Sequence, residues 1–120
     1  MNLQESGQMY LEAIFVLSQK QNHVRSVDVG EYLGYSKPSV SRAVGLLKDG
    51  GYVITNDSGH LELTQKGRAI AEQTYERHTV LTDFFISIGV PSDVASEDAC
   101  KIEHDISQTT FEALKKHLSR

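Results

Sequence analysis

The chain of 120 residues holds a single cysteine, Cys100. One thiol cannot close a disulfide within the chain, so a cross-linked secreted scaffold is excluded and a reducing, cytoplasmic setting is expected. No apolar run approaches the roughly 20 residues that a bilayer span needs, so no membrane partner is expected. The opening "MNLQESGQMY" lacks the basic-then-apolar order of a secretion signal. Internal repeats and low-complexity segments are missing, which sets repeat architectures aside. Positive net charge is missing too: the formal charge is −4 at pH 7, which speaks against a uniformly cationic nucleic-acid binder.

What is present is a globular composition, 39% hydrophobic and 23% charged. A chain of this length makes one domain, or a small domain with an appendage, and buries a modest share of its surface. A partner subunit would add burial. Residues 20–68 carry seven Lys/Arg against five Asp/Glu, whereas residues 74–120 carry five against eight. A mildly basic middle followed by an acidic end points to two tasks.

Apolar spacing organises the elements. Tyr10, Ile14 and Leu17 at i, i+4 and i+7 predict a helix over 4–20. Ser26 is a candidate cap for a short second helix bearing Val27, Val29 and Leu33, closed by Gly34. Ser36 is a candidate cap for a third helix with Pro38 in its first turn, where a missing amide hydrogen is harmless. Its buried stripe is Val40, Ala43, Val44 and Leu47, and "DGG" at 49–51 ends it. In "YVITNDSGHLEL", β-prone runs at 52–55 and 60–63 flank Asp57-Ser58-Gly59, which predicts a hairpin. A long helix should run from a Thr64 cap to about Ile88, at a local cost in propensity at Gly67. A helix around 91–105 and a last amphipathic helix with Phe111, Leu114 and Leu118 complete the chain.

Helix, short helix, tight turn, helix and hairpin, in that order, are a winged helix-turn-helix. The third helix must bury one stripe and leave the other face for a major groove. With Val40 at the centre of the buried face, Pro38, Ser41, Arg42 and Gly45 fall on the far side, and Lys37, Ser39 and Lys48 at its edges. Hydroxyls can bond phosphates or bases, and an arginine can fork onto guanine. The candidate DNA contacts are Arg25, Ser36, Lys37, Pro38, Ser39, Ser41, Arg42, Lys48, and Asn56 and His60 at the hairpin tip. An ordinary solvated helix face is the bland alternative.

In "DACKIEHDIS" at 98–107, Cys100, Glu103 and His104 sit at i, i+3 and i+4, which on a helix is one face. Thiolate, carboxylate and imidazole suit a divalent ion of borderline softness. Three donors do not close a site, and Met9, Glu12 and His78 are the candidates for the rest. Two other readings of these residues stand beside this one. Cys100 is a small buried residue beside a solvated Glu-His edge, or half of a Cys-His nucleophile pair, for which no orienting partner or oxyanion element is visible.

The segments "MYLEAIFVL" (9–17), "SKPSVSRAV" (36–44), "LELTQKGRAIA" (61–71), "YERH" (75–78) and "DACKIEHDIS" resemble the diphtheria toxin repressor family of metal-dependent transcriptional regulators. They follow one another in order over nearly the whole chain. The resemblance implies a mainly α fold, with a winged-helix DNA-binding domain at 1–72 and a helical dimerisation and metal-binding domain at 73–120. It further implies a homodimer on a palindromic double-stranded operator, with the metal as corepressor, and no enzymatic activity. Met9, Cys100, Glu103 and His104 match the principal site of the iron-sensing branch, and His78 matches a ligand of both branches. Glu12 matches a ligand of the manganese-sensing branch, whose carboxylates are replaced here by Met9 and Cys100. Two positions of the iron branch's ancillary site hold Ser96 and Thr82. The chain ends at Arg120, before the SH3-like third domain of longer iron regulators. A thioether and a thiolate favour Fe(II) over Mn(II), with Zn(II), Co(II) or Ni(II) as binders in vitro. The expected function is repression of metal-uptake genes. The rival from another class is a winged-helix regulator that answers to a small organic ligand.

Overall fold

Side-chain caps and glycines set the element boundaries in the computed structural model, which describes residues 5–119. The order is α1 (Glu5–Lys20), α2 (Ser26–Leu33), α3 (Lys37–Asp49), β1 (Val53–Thr55), β2 (Leu61–Leu63), α4 (Gln65–Ser87), α5 (Ser92–Ile102) and α6 (Gln108–Leu118). Gln4, the expected start of the first helix, lies outside the described residues. The chain divides into two compact units, Met1–Glu72 and Gln73–Arg120.

The first unit is a winged helix-turn-helix. Ser36 caps α3 by accepting from the Ser39 amide at 3.4 Å, with Pro38 in the first turn. Ser26 does not cap α2, contrary to expectation. Arg25 holds the cap position, and Asp28 reaches back to accept from the Arg25 amide at 2.9 Å. That bond is the first cause holding the Asp28 carboxyl below the usual carboxylate range. Gly34 ends α2 at φ 75°, where its amide and that of Tyr35 both donate to the Gly30 carbonyl. A side chain there would be strained.

The core follows the predicted stripes. Tyr10, Leu11, Ala13, Ile14 and Leu17 of α1 pack with Val29 of α2 and with Val40, Val44 and Leu47 of α3. Tyr52, Val53 and Leu61 close it from the hairpin side. Burial, and next to it the neighbouring Tyr35, pushes the Tyr10 hydroxyl pKa up. Val27, expected with the apolar pattern of α2, is instead 48% exposed. The hairpin is antiparallel, with Val53 opposite Leu63 and Thr55 opposite Leu61. Val24 adds an unforeseen bridge, its carbonyl accepting from the Leu61 amide at 2.7 Å.

The start of α4 grips the turn that ends α3. Thr64 accepts from the Gly67 amide at 3.1 Å and donates its hydroxyl to the Gly51 carbonyl at 2.7 Å. Its own amide donates to the Tyr52 carbonyl at 3.0 Å. Lys66 donates to the Gly50 carbonyl at 3.0 Å and lies 4.3 Å from the Tyr52 ring centroid, a cation–π contact. At Gly67 a Cβ would overlap the Tyr52 carbonyl oxygen. The helix accepts the propensity cost of this glycine because the backbones touch.

The second unit holds the rest of α4 with α5 and α6. Leu81, Ala95, Ala99 and Phe111 are buried, and so are Thr74 and Glu103. Ser107 caps α6 by accepting from the Thr110 amide at 3.2 Å. Lys115 donates to Glu76 at 3.0 Å, and that bond raises the lysine's pKa. The fifth helix stops at Ile102, not near 105. Glu103 is its C-cap, and a turn follows. Among the described residues, no helix is long and apolar enough to cross a membrane.

Candidate functional site

Glu103 is the organising residue of the second unit. Its side chain is fully buried, with Oε2 2.9 Å from His78 Nδ1 and Oε1 3.4 Å from His104 Nε2. A carboxylate oxygen accepts, so His78 donates from Nδ1. Nε2 lies 3.3 Å from the Ser96 hydroxyl. Imidazole ligands are commonly oriented in this way, with one nitrogen donating to a carboxylate and the other kept as a donor atom for a metal. Thr82 does not extend the set, since its hydroxyl donates to the His78 carbonyl at 2.7 Å.

The chemistry fits a divalent cation. Glu103 Oε1 is buried and accepts no hydrogen bond, and a buried carboxylate is stabilised by positive charge. The arrangement is not a closed cage: among the described residues, no three His, Cys, Asp or Glu side chains stand in metal-holding geometry. Cys100, on the last turns of α5, is exposed. The regular helix ends at Ile102, with Glu103 as its C-cap in helical backbone geometry and His104 in the turn that follows. In the first unit, Met9 and Glu12 are half-buried on α1.

One residue that the sequence reading left unassigned supports this turn. Arg77 donates to the carbonyls of Glu103 (3.1 Å) and Ile106 (2.9 Å) and to Gln108 Oε1 (2.9 Å). Its guanidinium lies 5.5 Å from the Phe111 ring centroid. The segment "YERH" held the signal, a cation next to the histidine, but nothing in the spacing reveals backbone acceptors about 30 residues away.

On α3, Lys37, Pro38, Ser39, Ser41, Arg42 and Lys48 are all exposed, opposite buried Val40, Val44 and Leu47. Ser36 and Ser39 have local work as well, since the Ser36 hydroxyl also donates to that of Ser39 at 2.9 Å. Arg25 is exposed and paired with Asp28 at 3.5 Å. The wing tip is committed internally. Asn56 donates to Glu62 at 2.9 Å and accepts from the amides of Ser58 and His60, both at 3.0 Å. His60 stacks on His23 with centroids 4.4 Å apart.

Residues 2–61 match the family model described as the iron dependent repressor N-terminal DNA binding domain. Residues 64–120 match that of its metal binding and dimerisation domain. The transcriptional regulator MntR of Salmonella typhimurium is 32% identical over 104 residues, covering 87% of this chain and 66% of that protein. The iron-dependent repressor IdeR of Mycobacterium tuberculosis is 30% identical over 118 residues, covering 98% of this chain and 51% of that one. The solved structure of the manganese regulator SloR superposes with a TM-score of 0.85 at 27% identity, covering 94% of this chain and 53% of that one. The chain thus spans from half to about two thirds of these relatives, which are named regulators and repressors rather than enzymes. With each half matched by its own family model in the same order, the chain belongs to the diphtheria toxin repressor family of metal-dependent regulators.

Proposed function

We propose that this chain is a metal-dependent, DNA-binding transcriptional repressor. In this reading it works in the cytoplasm as a homodimer on a palindromic operator, senses Fe(II) and represses metal-uptake genes. The observation that carries the reading is the buried Glu103 carboxylate set between His78 and His104. Met9, Glu12, His78, Cys100, Glu103 and His104 would hold the ion, whose positive charge would stabilise this buried carboxylate. His78 is already oriented for the task by its Nδ1 bond, while Cys100 has to turn inward.

Metal choice follows donor softness. The Met9 thioether and the Cys100 thiolate favour Fe(II), and Glu12 adds a hard oxygen that Mn(II) tolerates well. Manganese is therefore the second reading, supported by the likeness to SloR, a manganese regulator. On the DNA side, Arg42 and Ser41 would read base edges and Lys37 and Lys48 would take phosphates, a reading supported by their exposure on α3. Two copies would present their reading helices about one duplex turn apart.

The test is an anaerobic titration of operator binding with Fe(II) and Mn(II), on a duplex selected from a random pool. His104→Ala should abolish metal stimulation and leave a folded dimer. Arg42→Ala should weaken operator binding roughly tenfold, about 1.4 kcal/mol, with metal affinity unchanged. Equal grip on the operator by metal-free and metal-loaded wild type would refute the reading.

A further inference from the structure

Behind α5 lies a problem that the side chains of the site do not solve. A helix leaves its last carbonyls without partners, and here the helix stops one residue before Glu103 and two before His104. The turn keeps some order of its own, with the Glu103 amide donating to the Ala99 carbonyl at 2.9 Å and the Asp105 and Ile106 amides to that of Ile102, both at 3.0 Å. The carbonyls of Glu103 and Ile106 point onward and accept from Arg77. The same guanidinium reaches Gln108, the first residue of α6, whose Oε1 also accepts from Gln73 at 3.2 Å. Arg77 and His78, adjacent on α4, therefore hold Glu103 at both ends, one by its carbonyl and the other by its carboxylate.

We infer that Arg77 is the positioning residue of the metal centre: by fastening the 103–108 turn it fixes the Glu103 and His104 donors and so sets metal affinity. This rests on the metal-sensing reading given above. Three features argue for a dedicated device and against a surface contact. The planar fork spans three acceptors at once, which an ammonium group cannot copy. A cation at a helix C-terminus also complements the helix dipole. And the guanidinium lies over the buried Phe111 ring, which restricts its rotamers.

The test uses the whole chain with Mn(II) alone as the probe, by equilibrium dialysis, and hydrogen exchange on the metal-free protein. Arg77→Met should weaken Mn(II) binding by roughly ten- to a hundredfold, the range for partners behind metal ligands. Arg77→Lys should fall in between. In the metal-free Arg77→Met protein, the amides of Glu103, Asp105 and Ile106 should lose exchange protection while those around Leu81 keep theirs. If Arg77→Met does not fold, Gln108→Leu removes a single anchor and should still cost a severalfold loss. Wild-type Mn(II) affinity in a folded Arg77→Met, or failing that in Gln108→Leu, overturns the assignment alone. Absence of wild-type binding to Mn(II) and, in an anaerobic repeat, to Fe(II) overturns the metal-sensing reading and this assignment with it.

Discussion

The two units bury different things. In the first, helices and hairpin close on aliphatic side chains and two tyrosines, with Leu11, Ile14, Val40 and Val53 at 0–1% exposure. In the second, Glu103 and Thr74 lie inside while Ile88 and Ile86 stand 63% and 43% exposed. Apolar burial at about 25 cal/mol per Å² is the stabilising force in the first unit. The second unit adds polar ties to its own buried Leu81, Ala95, Ala99 and Phe111, and its exposed isoleucines are surface that the proposed homodimer would cover. The lesson is a division of labour: one region is built to keep its shape, the other to have its shape completed.

That contrast can be broken or sharpened by substitution. The largest effect belongs to the first core. Leu11→Ala should cost about 2–5 kcal/mol, by lost transfer energy and the cavity left behind. Urea unfolding measures it, and a loss well under that range would mean that the helices collapse onto the gap. Glu103→Met in the second unit should cost less, about 1–3 kcal/mol of metal-free stability, because it leaves the His78 Nδ1 donor without its carboxylate. Added Mn(II) should then no longer raise the melting midpoint. An unchanged or higher metal-free midpoint would show that the carboxylate is kept for the ion and not as a structural tie.

The smallest effect is at the edge of the first unit. Asp28→Ala removes the carboxylate that caps α2 and should cost about 1 kcal/mol at neutral pH. Because the folded pKa of Asp28 is depressed, this contribution is fully present above the unfolded value of about 3.9. It fades as pH falls through the folded pKa. Unfolding curves of wild type and variant should therefore converge as pH falls below the usual carboxylate range, and a constant gap would show that the cap does not depend on charge.

Much of the fold was legible because its signals are local. Ser36, Thr64 and Ser107 each accept the amide three residues on, and the stripe Val40, Val44, Leu47 follows from helical period alone. The misses are places where distant groups compete with a local rule. Ser26 lost the cap to Arg25 because Asp28 reaches back to the Arg25 amide. Val24 joined the sheet because Leu61 needed an acceptor. In the candidate site, residue types and spacing pointed to Glu103 and His104, while the end of α5 at Ile102 and the grip of Arg77 depend on packing that no spacing encodes.

One earlier detail reaches further than its size. Thr64, Lys66 and Gly67 lock the first turn of α4 to the Gly50–Tyr52 corner through three hydrogen bonds, a ring contact and a backbone touching distance that admits no side chain. Within the first unit the corner and the opening turn of α4 therefore act as one piece, so a side chain added at Gly67 would be felt at the end of α3.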